Sequence, residues 1–176
     1  LQATTYLLRF FNSMAYGICR IQKLKAGNLK PSAQHTGRKR FTPNANPEKE
    51  HICIIGEETQ ELDSLVRNRI GKQPIRKNAV LAVEILLSAS PEYFRPDDKS
   101  EAGYYEPSRL VDFQAAACQW LSKTYGDRIV LAHLHLDEAT PHIHAYLVPL
   151  DSRGKLNCRK LFGTRSKLSQ LQDSFA

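Results

Sequence analysis

The chain has 176 residues, 41% of them hydrophobic, and a formal net charge of +7. That length suits one domain burying about two-thirds of its unfolded surface, and no apolar run is long enough for a membrane helix. Four scattered cysteines, Cys19, Cys53, Cys118 and Cys158, form no CxxC pair, which argues against a thiolate zinc site or disulfide scaffold and for a reducing cytoplasm.

Residues 1–13 hold only Arg9 as a charge and show no clear cleavage site. They read as an upstream or non-native extension, with Met14 as the natural start and 14–176 as one domain. Ala15 to Lys23 alternates as a strand, with Arg20 and Gln22 on one face and Cys19, Ile21 and Lys23 on the other. Lys25 to Pro47, rich in Gly, Pro, Asn and cations, reads as a long loop, a kind of segment that is usually functional or disordered. His51 to Ile55 reads as a short strand, and Glu58 to Ile70 has helical spacing. Ala79 to Ser88 is an apolar strand interrupted by one charge, Glu84. Residues 91–107 are Pro-, Asp- and Gly-rich and read as loop. Leu110, Phe113, Ala117, Leu121 and Tyr125 mark an amphipathic helix, with Ser108 as its cap and Gly126 as its stop. Ile129 to Leu136 and Ile143 to Leu150 read as strands, and Thr164 to Phe175 as a last helix that the C-terminus interrupts. The sum is an α+β fold, a central, mainly antiparallel five-stranded sheet with three helices.

The charge is segregated. Residues 1–77 carry 14 Lys/Arg against 6 Asp/Glu, residues 78–150 carry 5 against 10, and residues 151–176 carry 6 against 2. Basic ends around an acidic middle point to nucleic acid, because Lys and Arg neutralise backbone phosphates. The acidic middle holds the densest chemistry, His135-Leu136-Asp137-Glu138-Ala139-Thr140-Pro141-His142-Ile143-His144. In a strand, residues two apart face the same way, so His142 and His144 project together, and a short antiparallel turn brings His135 opposite them. Three imidazoles can then share one cation, with Glu138 or Asp137 completing the site. Pro141 and the absence of HExxH exclude a helix-borne zinc protease site. His133 shares the face of His135 but lies further from the turn, which suits a buried supporting role.

His35 lies among cations (Arg38, Lys39, Arg40) that would draw a phosphodiester to it, and neutral imidazole is a competent nucleophile near neutral pH. Glu84 in its apolar strand is either an edge position or a partner that orients a catalytic histidine. Arg76 and Lys77 precede that strand as candidate phosphate contacts. Tyr104-Tyr105 could supply a tyrosine nucleophile, but bulky aromatics in such a loop usually anchor packing.

Several segments in order (Met14-Ala15-Tyr16, the Lys25-Ala26-Gly27-Asn28-Leu29 box, His35, Asn46-Pro47, His51, Ile75-Arg76-Lys77-Asn78-Ala79-Val80, Glu84, the histidine segment, Val148-Pro149 and Gly154-Lys155-Leu156) resemble the MobV class of plasmid mobilisation/recombination (Mob/Pre) relaxases. The resemblance spans about residues 14–176 and implies a relaxase domain of the HUH-endonuclease type. It implies nicking of one strand of supercoiled plasmid DNA at an origin of transfer with Mn2+ or Mg2+, in a bacterial cytoplasm, in concert with relaxosome or coupling proteins. Carried over, His135, Glu138, His142 and His144 hold the metal. His35 links to the 5′ phosphate as a phosphoramidate, and Glu84 orients His35. Lys23, Lys25, Asn28, Arg38, Lys39, Arg40, Arg76 and Lys77 are the candidate DNA contacts. The chain departs from the family at Thr36-Gly37-Arg38-Lys39-Arg40, where an Asn-Glu-Arg-like sequence is commoner, and at Ile52-Cys53-Ile54, where Leu-Asn-Tyr is frequent. The tail that serves dimerisation or membrane association in such proteins is not in this sequence. The alternatives are a rolling-circle replication initiator with a tyrosine nucleophile and a non-catalytic DNA-binding module with a structural metal.

Overall fold

The computed structural model describes residues 15–57 and 59–176; the expected extension 1–13 and start Met14 lie outside them. The elements in chain order are β1 (Gly17–Leu24), α1 (Ala26–Thr36), β2 (His51–Ile55), α2 (Leu62–Ile70), β3 (Ala82–Ala89), α3 (Pro91–Phe94), α4 (Pro107–Tyr125), β4 (Ile129–His135), β5 (His142–Leu147), α5 (Cys158–Phe162) and α6 (Arg165–Phe175). One sheet runs in the order β1-β3-β5-β4-β2, and every pairing is antiparallel.

Period-2 alternation divides the sheet into two faces. On one, Val83, Ile85, Leu87, Ala132, Leu134, Ile143, Ala145 and Leu147 form an apolar layer with Phe94, Phe113, Ala117, Leu121, Phe162 and Phe175 from α3 to α6. The other carries the polar residues that alternate with them: Glu84 and Ser88 from β3, His133 and His135 from β4, His142 and His144 from β5. Only part of this second face is covered by apolar packing, where Leu29 of α1 and Leu62, Val66 and Ile70 of α2 meet Leu131, Tyr146 and Val148. The rest holds this polar group, which is itself buried.

The segment expected as one long loop starts with the helix α1. Gly27, Asn28 and Pro31 give it poor intrinsic propensity, and Pro31 removes one backbone donor. Its stability comes from packing, because Leu29 and Thr36 are fully buried beneath it. Two single-turn helices were also unexpected: α3, which begins with Pro91 and buries Phe94, and α5, where the Asn157 side chain accepts the Lys160 N–H. The α4 helix begins at Pro107, so Ser108 lies inside it and is not its cap; Gly126 ends it with φ 57°, a conformation glycine adopts without strain. Thr164 caps α6 by accepting the Lys167 N–H. β5 ends at Leu147, short of the expected Leu150. Glu84 is not at an edge, since β3 is paired on both sides and Glu84 is 9% exposed. No helix among the described residues is long and apolar enough to cross a membrane.

Candidate active site

β4 and β5 pair with His135 opposite His142 and His133 opposite His144. Pairing of β3 with β5 sets Ser88 opposite His142 and Glu84 one same-face position from His144. The three rings of His135, His142 and His144 stand 4.9 to 5.1 Å apart by centroid. They offer ligand atoms all within 4.8 Å of one another, and His135, Asp137 and Glu138 form an overlapping group by the same measure.

Hydrogen bonds fix which nitrogen of each ring is available. His144 Nδ1 lies 2.6 Å from Glu84 Oε1, and His142 Nδ1 lies 2.9 Å from the Thr140 carbonyl oxygen. Both oxygens can only accept, so both rings carry the proton on Nδ1 and keep the Nε2 lone pair free. His135 is turned the other way. Its Nε2 donates to the Thr36 carbonyl at 2.7 Å, and its Nδ1 accepts from Arg38 Nη2 at 3.0 Å. Burial pushes the His135 pKa down to about 2, and the neighbouring His144, Arg38 and His142 push the same way. Burial is also the main cause that lowers His142. Burial thus favours neutral imidazoles at His135 and His142, the state that binds metal.

Arg38 closes the acidic side of this cluster. Its Nε meets Asp137 Oδ2 at 2.6 Å and its Nη2 meets Asp137 Oδ1 and Glu138 Oε1, each at 2.7 Å. Arg38 is the one non-glycine among the described residues with positive φ, 52°. A left-handed backbone costs about 1–3 kcal/mol and persists only when its surroundings enforce it. Here the bidentate carboxylate pair does so.

His35 lies in the last turn of α1, its ring edge-on to His144 with centroids 6.2 Å apart. Desolvation lowers its pKa, and His144 and Arg38 lower it further. Burial disfavours the Glu84 carboxylate, but hydrogen bonds from His144 and Ser32 outweigh it and hold the pKa below the ordinary carboxylate range. Ser32 Oγ donates to Glu84 Oε2 at 2.5 Å and lies 2.8 Å from the Tyr146 hydroxyl, which in turn lies 2.9 Å from Thr36 Oγ1. Glu84 was expected to orient His35; its hydrogen bonds instead go to His144 and Ser32. A cavity of about 490 Å³ opens over this group, lined by His35, Glu84 and His144 with Arg20, Gln22 and Asn28.

The expected DNA contacts are scattered around it. Asn28 lines the cavity, and Lys25, Lys39 and Arg40 are exposed beside α1. Lys23 does not face the cavity; its Nζ donates to the Phe162 carbonyl on the other side of β1. Arg38 is enclosed, its side chain 11% exposed, and tied up in ion pairs. Arg76 lines a separate cleft of about 610 Å³ that Arg159 also borders, and Lys77 is exposed nearby. His133 stands 6.4 Å from His135 and from His51 by ring centroid, outside the three-histidine group. Tyr105 packs against the apolar layer on the opposite face of the sheet. Sequence reasoning missed Arg20 and Gln22 as cavity residues, although alternation along β1 puts them on one face. It also missed Ser32, which helical spacing to His35 would have revealed had α1 been recognised.

The family model described as plasmid recombination enzyme (Mob_Pre) matches residues 13–176. The chain belongs to this family. It is 32% identical over 170 residues to the 65 kDa protein of Zymomonas mobilis, covering 92% of this chain and 28% of that protein. It is 30% identical to the plasmid recombination enzyme of Streptococcus agalactiae, covering 91% of this chain and 33% of the relative. The chain therefore spans about a third of the curated relatives it matches. Among solved structures it is similar to the Mn-bound MobM relaxase domain in complex with 22-nucleotide oriT DNA of plasmid pMV158. The TM-score is 0.76 at 26% identity, over 91% of this chain and 85% of that one. The same domain bound to 26-nucleotide oriT DNA gives 0.66 at 25% identity.

Proposed function

We propose that this chain is a relaxase domain that nicks one strand of plasmid DNA at an origin of transfer, with a divalent metal, Mn2+ or Mg2+, and a covalent histidine–5′-phosphate intermediate. The observation that carries the reading is the convergence of His135, His142 and His144, with His144 lining one open cavity together with His35. The donor set fits the metal: the free Nε2 lone pairs of His142 and His144, the His135 Nδ1 that Arg38 engages, and the Glu138 and Asp137 carboxylates beside His135. Bound there, a divalent cation supplies charge stabilisation to the scissile phosphate.

The remaining steps belong to the protein. Arg20, Gln22 and Asn28 line the approach of the strand. His35, whose pKa burial and the nearby Arg38 charge lower, supplies the electron pair that forms the N–P bond. The P–O3′ bond breaks, the 3′ oxygen leaves and takes a proton from solvent, and the ring loses its N–H proton. Glu84 holds the His144 tautomer, and Ser32 ties Glu84 to the helix that carries His35.

The test is incubation with supercoiled origin plasmid and with labelled single-stranded origin oligonucleotide in Mn2+, followed by digestion to find the linked residue. Adduct on His35, lost in His35→Phe, is the expected result. Adduct on a tyrosine would replace this reading with a replication-initiator chemistry, and metal-independent binding without nicking would leave a DNA-binding module.

A further inference from the structure

Arg95 follows α3 and is 4% exposed, yet it has no place in the reaction described above. Its guanidinium donates from Nε to the Lys99 carbonyl at 2.9 Å, from Nη1 to the carbonyls of Ala139 at 3.0 Å and Tyr104 at 3.4 Å, and from Nη2 to Thr140 Oγ1 at 3.4 Å. Burying a guanidinium is costly unless its donors are satisfied. This one is satisfied by joining residues 95–104 to the turn of the histidine hairpin. The Ala139 carbonyl accepts a second hydrogen bond, from the Gly103 N–H at 2.9 Å.

That turn matters for the metal ligands on both sides of it. The Thr140 carbonyl is the acceptor that fixes the His142 proton on Nδ1, and Glu138 is the residue before Ala139. From the far side, Ser88 Oγ donates to the Pro141 carbonyl at 2.7 Å. Arg95 is thus separated from His142 by two links, guanidinium to the Ala139 carbonyl and the Thr140 hydroxyl, and Thr140 carbonyl to imidazole. We propose that Arg95 is a positioning residue of the metal centre. It anchors the turn at Ala139 and Thr140, and through that backbone it holds the His142 tautomer and the placement of Glu138. The inference rests on the metal-dependent reading of the site.

Arg95→Met keeps the aliphatic stem and removes every donor; Arg95→Lys keeps the charge and a single ammonium. Two readouts are decisive: Mn2+ affinity by titration calorimetry, and the His142 tautomer by long-range 1H–15N imidazole spectra in chelator. Arg95→Met should weaken Mn2+ binding by about 10–100-fold, the usual cost of losing a partner behind a metal ligand, with Arg95→Lys in between. The His142 Nδ1–H form should give way to a mixture of tautomers, while affinity for a single-stranded oligonucleotide in chelator stays within twofold. In a His142→Ala background most of the Arg95→Met effect on Mn2+ should vanish. Unchanged Mn2+ affinity with an unchanged tautomer overturns the proposal, and so does an equal loss in the His142→Ala background, which would mean general loosening. If Arg95→Met does not fold, Arg95→Lys is read by the same criteria. A wild-type protein that binds no Mn2+ refutes the metal reading instead, and the tautomer spectra still decide whether Arg95 holds His142.

Discussion

Replacing Glu84 by Gln separates two roles that a buried carboxylate beside a catalytic histidine can play. Glu84 accepts from His144 Nδ1 at 2.6 Å and from Ser32 Oγ at 2.5 Å. The glutamine carbonyl can keep the His144 bond, but its NH2 then faces Ser32, whose hydroxyl must turn around to accept. What is lost is the charge, and with it the stronger half of a charge-assisted bond that makes His144 a better electron donor. Metal affinity should therefore fall by about 10–100-fold, equivalent to about 1.4–2.8 kcal/mol. The nicking rate at saturating Mn2+ should change much less. Titration calorimetry with Mn2+ and single-turnover nicking across a Mn2+ series measure the two quantities. If Mn2+ affinity is unchanged while the rate at saturation collapses, Glu84 acts on His35 and the hydrogen-bond assignment to His144 is not the functional one.

Arg38→Ala leaves the Asp137 carboxylate, 4% exposed in its side chain, without its cation, so stability in chelator should fall by about 3–5 kcal/mol in urea melts. The variant frees both carboxylates and His135 Nδ1, so the gain in melting temperature on adding Mn2+ should widen relative to wild type; a narrower gap would refute the shared use of these groups. Leu29→Ala, at a fully buried position beneath α1, should cost about 2–5 kcal/mol and slow adduct formation as α1 shifts; normal adduct kinetics would mean that the helix does not set the His35 position. Arg20→Ala should weaken binding of single-stranded DNA and reduce the salt dependence by about one counterion, whereas Lys23→Ala, on the other side of β1, should leave the slope unchanged.

The sheet and the hairpin were legible because alternation is a local signal. The registers of β4 and β5 follow from residues within a few positions of the turn, and the three histidines fall on one face for that reason alone. α1 was illegible because its evidence is not local. Gly27, Asn28 and Pro31 argue for a loop, and only Leu29 and Thr36 are fully buried on it, too few to show a helical period. Once α1 is missed, the spacing that sets Ser32, His35 and Thr36 on adjacent turns is missed with it. Charge alone marks Arg38 as a DNA contact; its pairing with Asp137, 99 residues away, leaves no trace in the local pattern. Lys23 shows the converse, since charge suggested a phosphate contact where strand alternation already turned it away from Arg20 and Gln22.

The links between α1 and the hairpin explain why a residue on a helix with weak propensity can serve as a nucleophile. Ser32 reaches Glu84 and through it His144. The Thr36 carbonyl holds His135, and Arg38 holds Asp137 and Glu138. These three ties lie within seven residues and enclose His35, and each ends on a member of the metal group or its immediate partner. An isolated helix containing Pro31 would not hold a ring in place to the tolerance in-line attack requires. Tied at three points to the sheet, it moves with the imidazoles it faces. Removing a tie outright, unlike Glu84→Gln, which leaves Ser32 a hydrogen-bond partner, should therefore disturb both halves of the chemistry together: the metal affinity read in the absence of DNA, and the rate of adduct formation read at saturating metal.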